Sequence, residues 1–160
     1  MPVEQRRGRQ RRVAVQGPAG ADEVILYTTE DFTAKVREFT AGAGVPVVYD
    51  SVGKTTFDGS LACLRPRGML VLFGGSSGAV PPFDLIKLSG MGSLYITRPT
   101  LNHYTVTREE LEQRAGDIFH WIGEGKLTLR IEHTYPLAQA AQAHRDLEAR
   151  KTTGKVLLIP

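Results

Sequence analysis

Three segments of small and polar residues each follow an apolar, β-branched run. They are Asp50-Ser51-Val52-Gly53 after residues 45–49 (VPVVY), Gly74-Gly75-Ser76-Ser77-Gly78 after residues 69–73 (MLVLF), and Thr97-Arg98 after residues 93–96 (SLYI). If those runs are neighbouring parallel strands, their carboxyl ends converge on one crevice, which is where open α/β sheets bind ligands. Small residues there give a ligand access to the main chain, and Arg98 brings positive charge towards a phosphate or carboxylate. The Gly-rich loop has two readings, a tight solvent turn or a close approach of ligand to backbone; composition favours the first and position after the most apolar run favours the second. The spacing names no ligand.

Other chemistries find less support. His103, His120, His133 and His144 share no metal-ligand spacing, and His144 falls on the apolar side of its predicted helix, where a packed, hydrogen-bonded histidine is expected. The single cysteine, Cys63, can form no intramolecular disulfide and reads as packing. Ser76 and Ser77 lack the G-x-S-x-G setting of a nucleophile elbow, so hydrolase chemistry is not indicated. Of 20 Lys and Arg residues, Arg6, Arg7, Arg9, Arg11 and Arg12 cluster at the start beside Glu4, so the formal charge of +3 belongs to that segment and the body is near neutral. Without interleaved aromatics or a basic surface beyond it, the segment reads as a solvated tail rather than a nucleic-acid arm.

The elements that must position the rim follow from periodicity. A length of 160 residues with 41% apolar and 23% charged side chains fits one folded domain. From residue 22 short β-branched runs alternate with amphipathic helical stretches, the pattern of an α/β protein with a parallel sheet. The expected strands are Val24 to Tyr27, Val45 to Tyr49, Met69 to Phe73, Ser93 to Thr97, Leu129 to His133 and Lys155 to Ile159, with Met69 to Phe73 at the sheet centre because it is apolar on both faces. Helices are expected after capping oxygens from Thr29 to Asp31 with Phe32, Val36 and Phe39 on the apolar face, over Phe57, Leu61 and Leu64 until Pro66 and Gly68, briefly around Asp84 to Leu88, and from Leu137 to Leu147. The longest helix is expected from a Thr107/Glu110 capping box to Gly123. No apolar run reaches the length of a membrane span, and the lone cysteine fits a reducing compartment, so a cytoplasmic protein without a membrane partner is expected.

The segments Val47-Val48-Tyr49-Asp50-Ser51-Val52-Gly53, Leu72-Phe73-Gly74-Gly75-Ser76-Ser77-Gly78, Gly92-Ser93-Leu94-Tyr95-Ile96-Thr97-Arg98-Pro99, Thr107-Arg108-Glu109-Glu110-Leu111 and Gly154-Lys155-Val156-Leu157-Leu158-Ile159-Pro160 carry a resemblance. Together they resemble the C-terminal half of the quinone oxidoreductases, the zeta-crystallin-like branch of the medium-chain dehydrogenase/reductase superfamily, from about Ala19 onward. The resemblance implies a partial Rossmann-like, doubly wound parallel sheet lacking its first βαβ unit and followed by a C-terminal helix and strand. It implies zinc-independent hydride transfer from NADPH to a quinone or related acceptor. It also implies cofactor contacts from Val52 and Gly53 on the adenosine side, from Phe73, Gly74, Gly75 and Ser76 beside the nicotinamide, and from Thr97, Arg98 and Arg150.

Against that family the expected pyrophosphate loop is missing. Gly17 and Gly20 imitate a Gly-rich fingerprint without room for the helix and second strand of a dinucleotide unit. The expectation is therefore a basic segment over 1–18 that is disordered or unrelated, and the C-terminal part of an NADP-binding Rossmann-type domain with its C-terminal extension over 19–160. Such a chain is expected to expose sheet edges and apolar surface, to be weak or inactive alone, and to be capable of pairing as a homodimer through those edges. The alternative from another class is a non-catalytic binding or assembly subunit that retains the half-Rossmann core.

Overall fold

The computed structural model describes residues 21–160, so the arginine-rich start and the Gly17–Gly20 stretch lie outside the described residues. The chain divides into two compact units, one of Ile25–Val106 and one containing Thr107–Pro160.

In the Ile25–Val106 unit, the Asp31 carboxylate accepts hydrogen bonds from the backbone N–H groups of Thr33 and Ala34, at 2.9 and 3.1 Å, and so starts helix α1 (Phe32–Phe39). Strand β1 (Val45–Asp50), helix α2 (Phe57–Ala62), strand β2 (Leu64–Leu72), helix α3 (Ile86–Gly90) and strand β3 (Tyr95–Thr97) follow. The three strands form one parallel sheet in the order β1-β2-β3. The most apolar run is central, as its pattern predicts. Leu70 is fully buried and pairs with Val48 on one side and Ile96 on the other.

The core gathers Phe57 and Leu61 of α2, Leu64, Leu70 and Leu72 of β2, and Leu94. Phe83 meets Phe57 edge to face, with ring centroids 5.1 Å apart. Phe32 of α1 lies so close over α2 that a Cβ on Gly59 would fall 2.4 Å from its ring.

Two expectations fail here. Val24 to Tyr27 is not a strand: the Leu26 carbonyl accepts from Thr29 and Glu30, and the Leu26 N–H donates to the Glu30 carboxylate, so local turn bonds hold these groups instead of a ladder. Leu64 does not extend α2 but begins β2 opposite Val45. The register then shifts, Val47 standing opposite Met69, so Arg65 to Gly68 bulge out and Pro66 is accommodated where the ladder is interrupted.

In the Thr107–Pro160 unit, α4 (Arg108–Gly123) starts at the predicted capping box. Glu110 N–H donates to Thr107 Oγ1 at 3.2 Å, and Thr107 N–H donates to Glu110 Oε2 at 3.3 Å. Strand β4 (Ile131–Pro136) pairs in parallel with β5 (Lys155–Ile159), and α5 (Ala140–Glu148) connects them after a short 3-10 turn. β4 is displaced towards the C-terminus from its predicted span because its register runs opposite β5, from Ile131 beside Lys155 to Pro136 beside Ile159. Ala143 is the buried residue of α5, and His144 is exposed, so the packed-histidine expectation is corrected. Tyr135 donates to Asp146 at 3.1 Å, joining β4 to α5.

Replacing Leu70 by Ala removes a side chain from the sheet centre. Urea titration should show a loss of about 3 kcal/mol in unfolding free energy; a loss below about 1 kcal/mol would show that the site collapses around the cavity.

Candidate functional site

β1, β2 and β3 end level with one another, Asp50 opposite Leu72 and Val71 opposite Thr97. The three small or polar segments therefore emerge at one rim. What holds that rim is the Asp50 side chain, 4% exposed. Its Oδ1 accepts from the backbone N–H of Val52 at 2.7 Å and of Gly53 at 3.0 Å, the Asx arrangement that tightens a turn. Its Oδ2 accepts from Thr56 Oγ1 and Ser60 Oγ, both at 2.8 Å. Burial pushes the Asp50 carboxyl up, and the hydrogen bonds from Gly53, Ser60, Thr56 and Val52 more than reverse this, leaving it below its ordinary value.

The Asp50 carbonyl in turn accepts from Phe73 N–H at 3.0 Å and Gly74 N–H at 3.2 Å. The Gly-rich loop closes against the turn through Ser76 N–H to Ser51 O and Ser77 N–H to Val52 O, at 3.3 and 2.8 Å. Lys54 N–H adds a bond to Gly78 O. Most of the backbone donors of this loop are thus committed internally, and among the described residues Gly75 N–H is the loop donor without a partner.

The loop's glycines divide by cause. A Cβ on Gly74 would sit 2.3 Å from Ser51 O, so Gly74 is required by loop-to-turn packing. Gly53, at φ +88°, would place a Cβ 3.1 Å from Gly75 Cα. Gly75 faces only Gly78 O at 3.7 Å, which leaves room on its outer side. Phe73 is 52% exposed, and the Ser76 side chain is exposed with no hydrogen-bond partner among the described residues. Arg98 donates from Nη1 to Leu72 O at 2.8 Å, so its guanidinium holds the end of β2 as well as presenting charge there.

Val52, Gly53, Phe73, Gly74, Gly75, Ser76, Thr97 and Arg98 are therefore brought to one strand-end rim. Arg150 belongs to the other unit, past the end of α5, with a left-handed φ of 58° and its N–H donating to Leu147 O. The residues the motif reading passed over are Thr56, Ser60 and Ser77. An acid directly after a strand, followed by two hydroxyls four residues apart, was the available signal for the first two.

Asp50→Asn keeps the size of the side chain but puts an NH2 where hydroxyl donors need an acceptor. At pH 7 it should cost about 2 kcal/mol of stability. Because the folded carboxyl lies below its unfolded value of 3.8, the wild-type advantage is complete above that value and is lost as pH falls through the depressed folded one. Denaturant titrations at neutral and acid pH check this; a difference between the two proteins that is constant with pH would show that the charge is not responsible.

The rim can be set beside known proteins. A profile described as zinc-binding dehydrogenase matches residues 19–158. A quinone oxidoreductase of Pseudomonas aeruginosa is 48% identical over 141 residues, which are 88% of this chain and 43% of that protein. A 2-haloacrylate reductase of a Burkholderia species is 44% identical over 142 residues, with the same shares. The crystal structure of Escherichia coli quinone oxidoreductase complexed with NADPH superposes with a TM-score of 0.84 at 47% identity, over 89% of this chain and 44% of that one. The chain thus spans under half the length of the relatives it matches. Among the described residues no three His, Cys, Asp or Glu side chains stand together so as to hold a metal ion. With the profile covering most of its length and these relatives at close identity, the chain belongs to the zinc-binding dehydrogenase family, in the quinone oxidoreductase branch of the medium-chain dehydrogenase/reductase superfamily.

Proposed function

We propose that the rim of β1, β2 and β3 holds part of an NADPH molecule and that the chain serves a reductase acting on a quinone or a related electron-poor acceptor. The observation that carries this reading is the outer side of the Gly-rich loop. Gly75 offers an N–H with open space beside it, flanked by the exposed Phe73 and the Ser76 hydroxyl, and neither the N–H nor the hydroxyl has a partner among the described residues. Phe73, Gly74, Gly75 and Ser76 would flank the nicotinamide ribose and carboxamide, Val52 and Gly53 the adenosine side, and Thr97 and Arg98 the same rim. Arg150 is proposed as a further cofactor contact. The NADPH-bound relative at 47% identity supports the choice of cofactor.

When bound, NADPH supplies the hydride; the part of this chain is to bind and orient it. A methyl group on the loop is excluded at Gly74 by Ser51 and is sterically allowed at Gly75. Phe73 presents an apolar face that limits water on its side of the rim. Reduction of a quinone and reduction of a 2-haloacrylate both add a hydride to a conjugated, electron-poor carbon framework, so the relatives' names converge on one acceptor class. Since the chain spans 43% of the first of these relatives, turnover by this chain alone is expected to be weak or absent. A cytoplasmic location is part of the same proposal; among the described residues no helix is long and apolar enough to cross a membrane.

A homodimer through exposed sheet edges is part of the same proposal. β1 and β3 each pair only with β2 among the described residues, and Tyr49 and Tyr95 are exposed on these outer strands. Size-exclusion chromatography with light scattering should give twice the monomer mass; a stable monomer across a range of concentrations would sink the dimer.

NADPH fluorescence titration of the chain tests the cofactor reading. Saturable binding is expected, and Gly75→Ala should weaken it about tenfold without lowering Tm, because its methyl group meets the ligand while Gly78 O stays at an ordinary contact distance of 3.7 Å. Absence of saturation at millimolar cofactor would overturn the reading and leave the non-catalytic subunit in its place.

A further inference from the structure

The two serines of the Gly-rich loop are adjacent and chemically identical, yet the structure gives them opposite tasks. Ser76 keeps its hydroxyl outward without a partner among the described residues. Ser77 uses its hydroxyl twice. Its Oγ donates to Val52 O at 2.7 Å and accepts from Thr55 N–H at 3.0 Å, while its own N–H also reaches Val52 O at 2.8 Å.

We propose that Ser77 is a positioning residue for the cofactor rim, a clasp whose hydroxyl sets the register of the loop against the Asp50–Gly53 turn. This rests on the reading that the rim binds NADPH. The physical argument is one of degrees of freedom. Thr55 N–H lies where helix α2 has not yet begun, and among the described residues its one acceptor is the Ser77 hydroxyl. The Val52 carbonyl sits between two residues proposed to border the adenosine side and receives both Ser77 donors. A side chain that bonds Val52 O on one side and Thr55 N–H on the other adds two restraints, directed to both sides of the turn, to the backbone bonds that already join loop and turn. Gly75 and Ser76, immediately before it in the chain, inherit that orientation.

Removing the hydroxyl leaves the main-chain bonds from Ser77 to Val52 and from Gly78 to Gly75 in place, so the loop is expected to fold without it. The cost appears in the ligand. NADPH titration well below Tm should show Ser77→Ala binding about five- to tenfold more weakly, with Ser77→Thr, which keeps the hydroxyl, within about twofold of wild type. Hydrogen exchange at the Thr55 amide should accelerate in Ser77→Ala and not in Ser77→Thr. Gly75→Ala serves as the reference.

If Gly75→Ala weakens NADPH binding and Ser77→Ala does not, the clasp is overturned and the rim reading stands. If neither variant changes binding, the rim reading fails and takes the clasp with it. A purely structural role predicts lower Tm with unchanged affinity, which also overturns the proposal. If Ser77→Thr is as weak as Ser77→Ala while Thr55 exchange stays slow in both, the hydroxyl is not the agent.

Discussion

A carboxylate removed from water must find donors or lose its charge, and the strand-end rim of the Ile25–Val106 unit is organised around that requirement. Asp50 collects two backbone N–H groups from the turn that follows it and two hydroxyls, from Thr56 just before α2 and from Ser60 within it. The bonds fix the exit of β1, shape the turn and seat the helix in one step. Through its carbonyl the same residue receives Phe73 and Gly74, so the exit of β2 is tied to that of β1. Leave out the carboxylate and three chain segments lose the point at which they meet.

The glycines of the rim show how packing and access are separated along five residues. Gly74 is held by its neighbours, since Ser51 occupies the space where its side chain would stand. Gly75 is open on its outer side, and its N–H has no partner among the described residues. In between, the serines split into one hydroxyl turned outward and one bonded inward. A short loop can be rigid and receptive at once because different residues carry the two properties. Arg98 anchors β2 through Leu72 O while the residue as a whole stays exposed.

The Thr107–Pro160 unit relies on different devices. Its long helix starts from a reciprocal capping box, its strands form a two-stranded parallel ladder, and Tyr135 to Asp146 ties strand to helix. The Gln142 side chain lowers the Asp146 carboxyl, an effect opposed by desolvation and supported by Tyr135 and Lys151. α4 buries none of its residues and Phe119 on it is 72% exposed, while the capping box and the Arg108–Glu112 ion pair act within the helix itself.

Residue order alone determined the α/β class, the central place of the Met69–Phe73 run, both side-chain caps, the final strand and the convergence of three strand ends. Each is written in local periodicity or in a cap motif a few residues long, and the physics behind it acts over that same distance. Tertiary structure decided the rest. Val24 to Tyr27 has strand composition but forms turn bonds with Thr29 and Glu30 instead of a ladder, and Leu64 has helical spacing but an opposing β1. Composition left the Gly-rich loop open between solvent turn and ligand approach. The structure divides it, because Ser51, Val52 and Thr55 stand more than twenty residues away in the chain, and only their arrival against the loop separates Gly74 from Gly75 and Ser77 from Ser76.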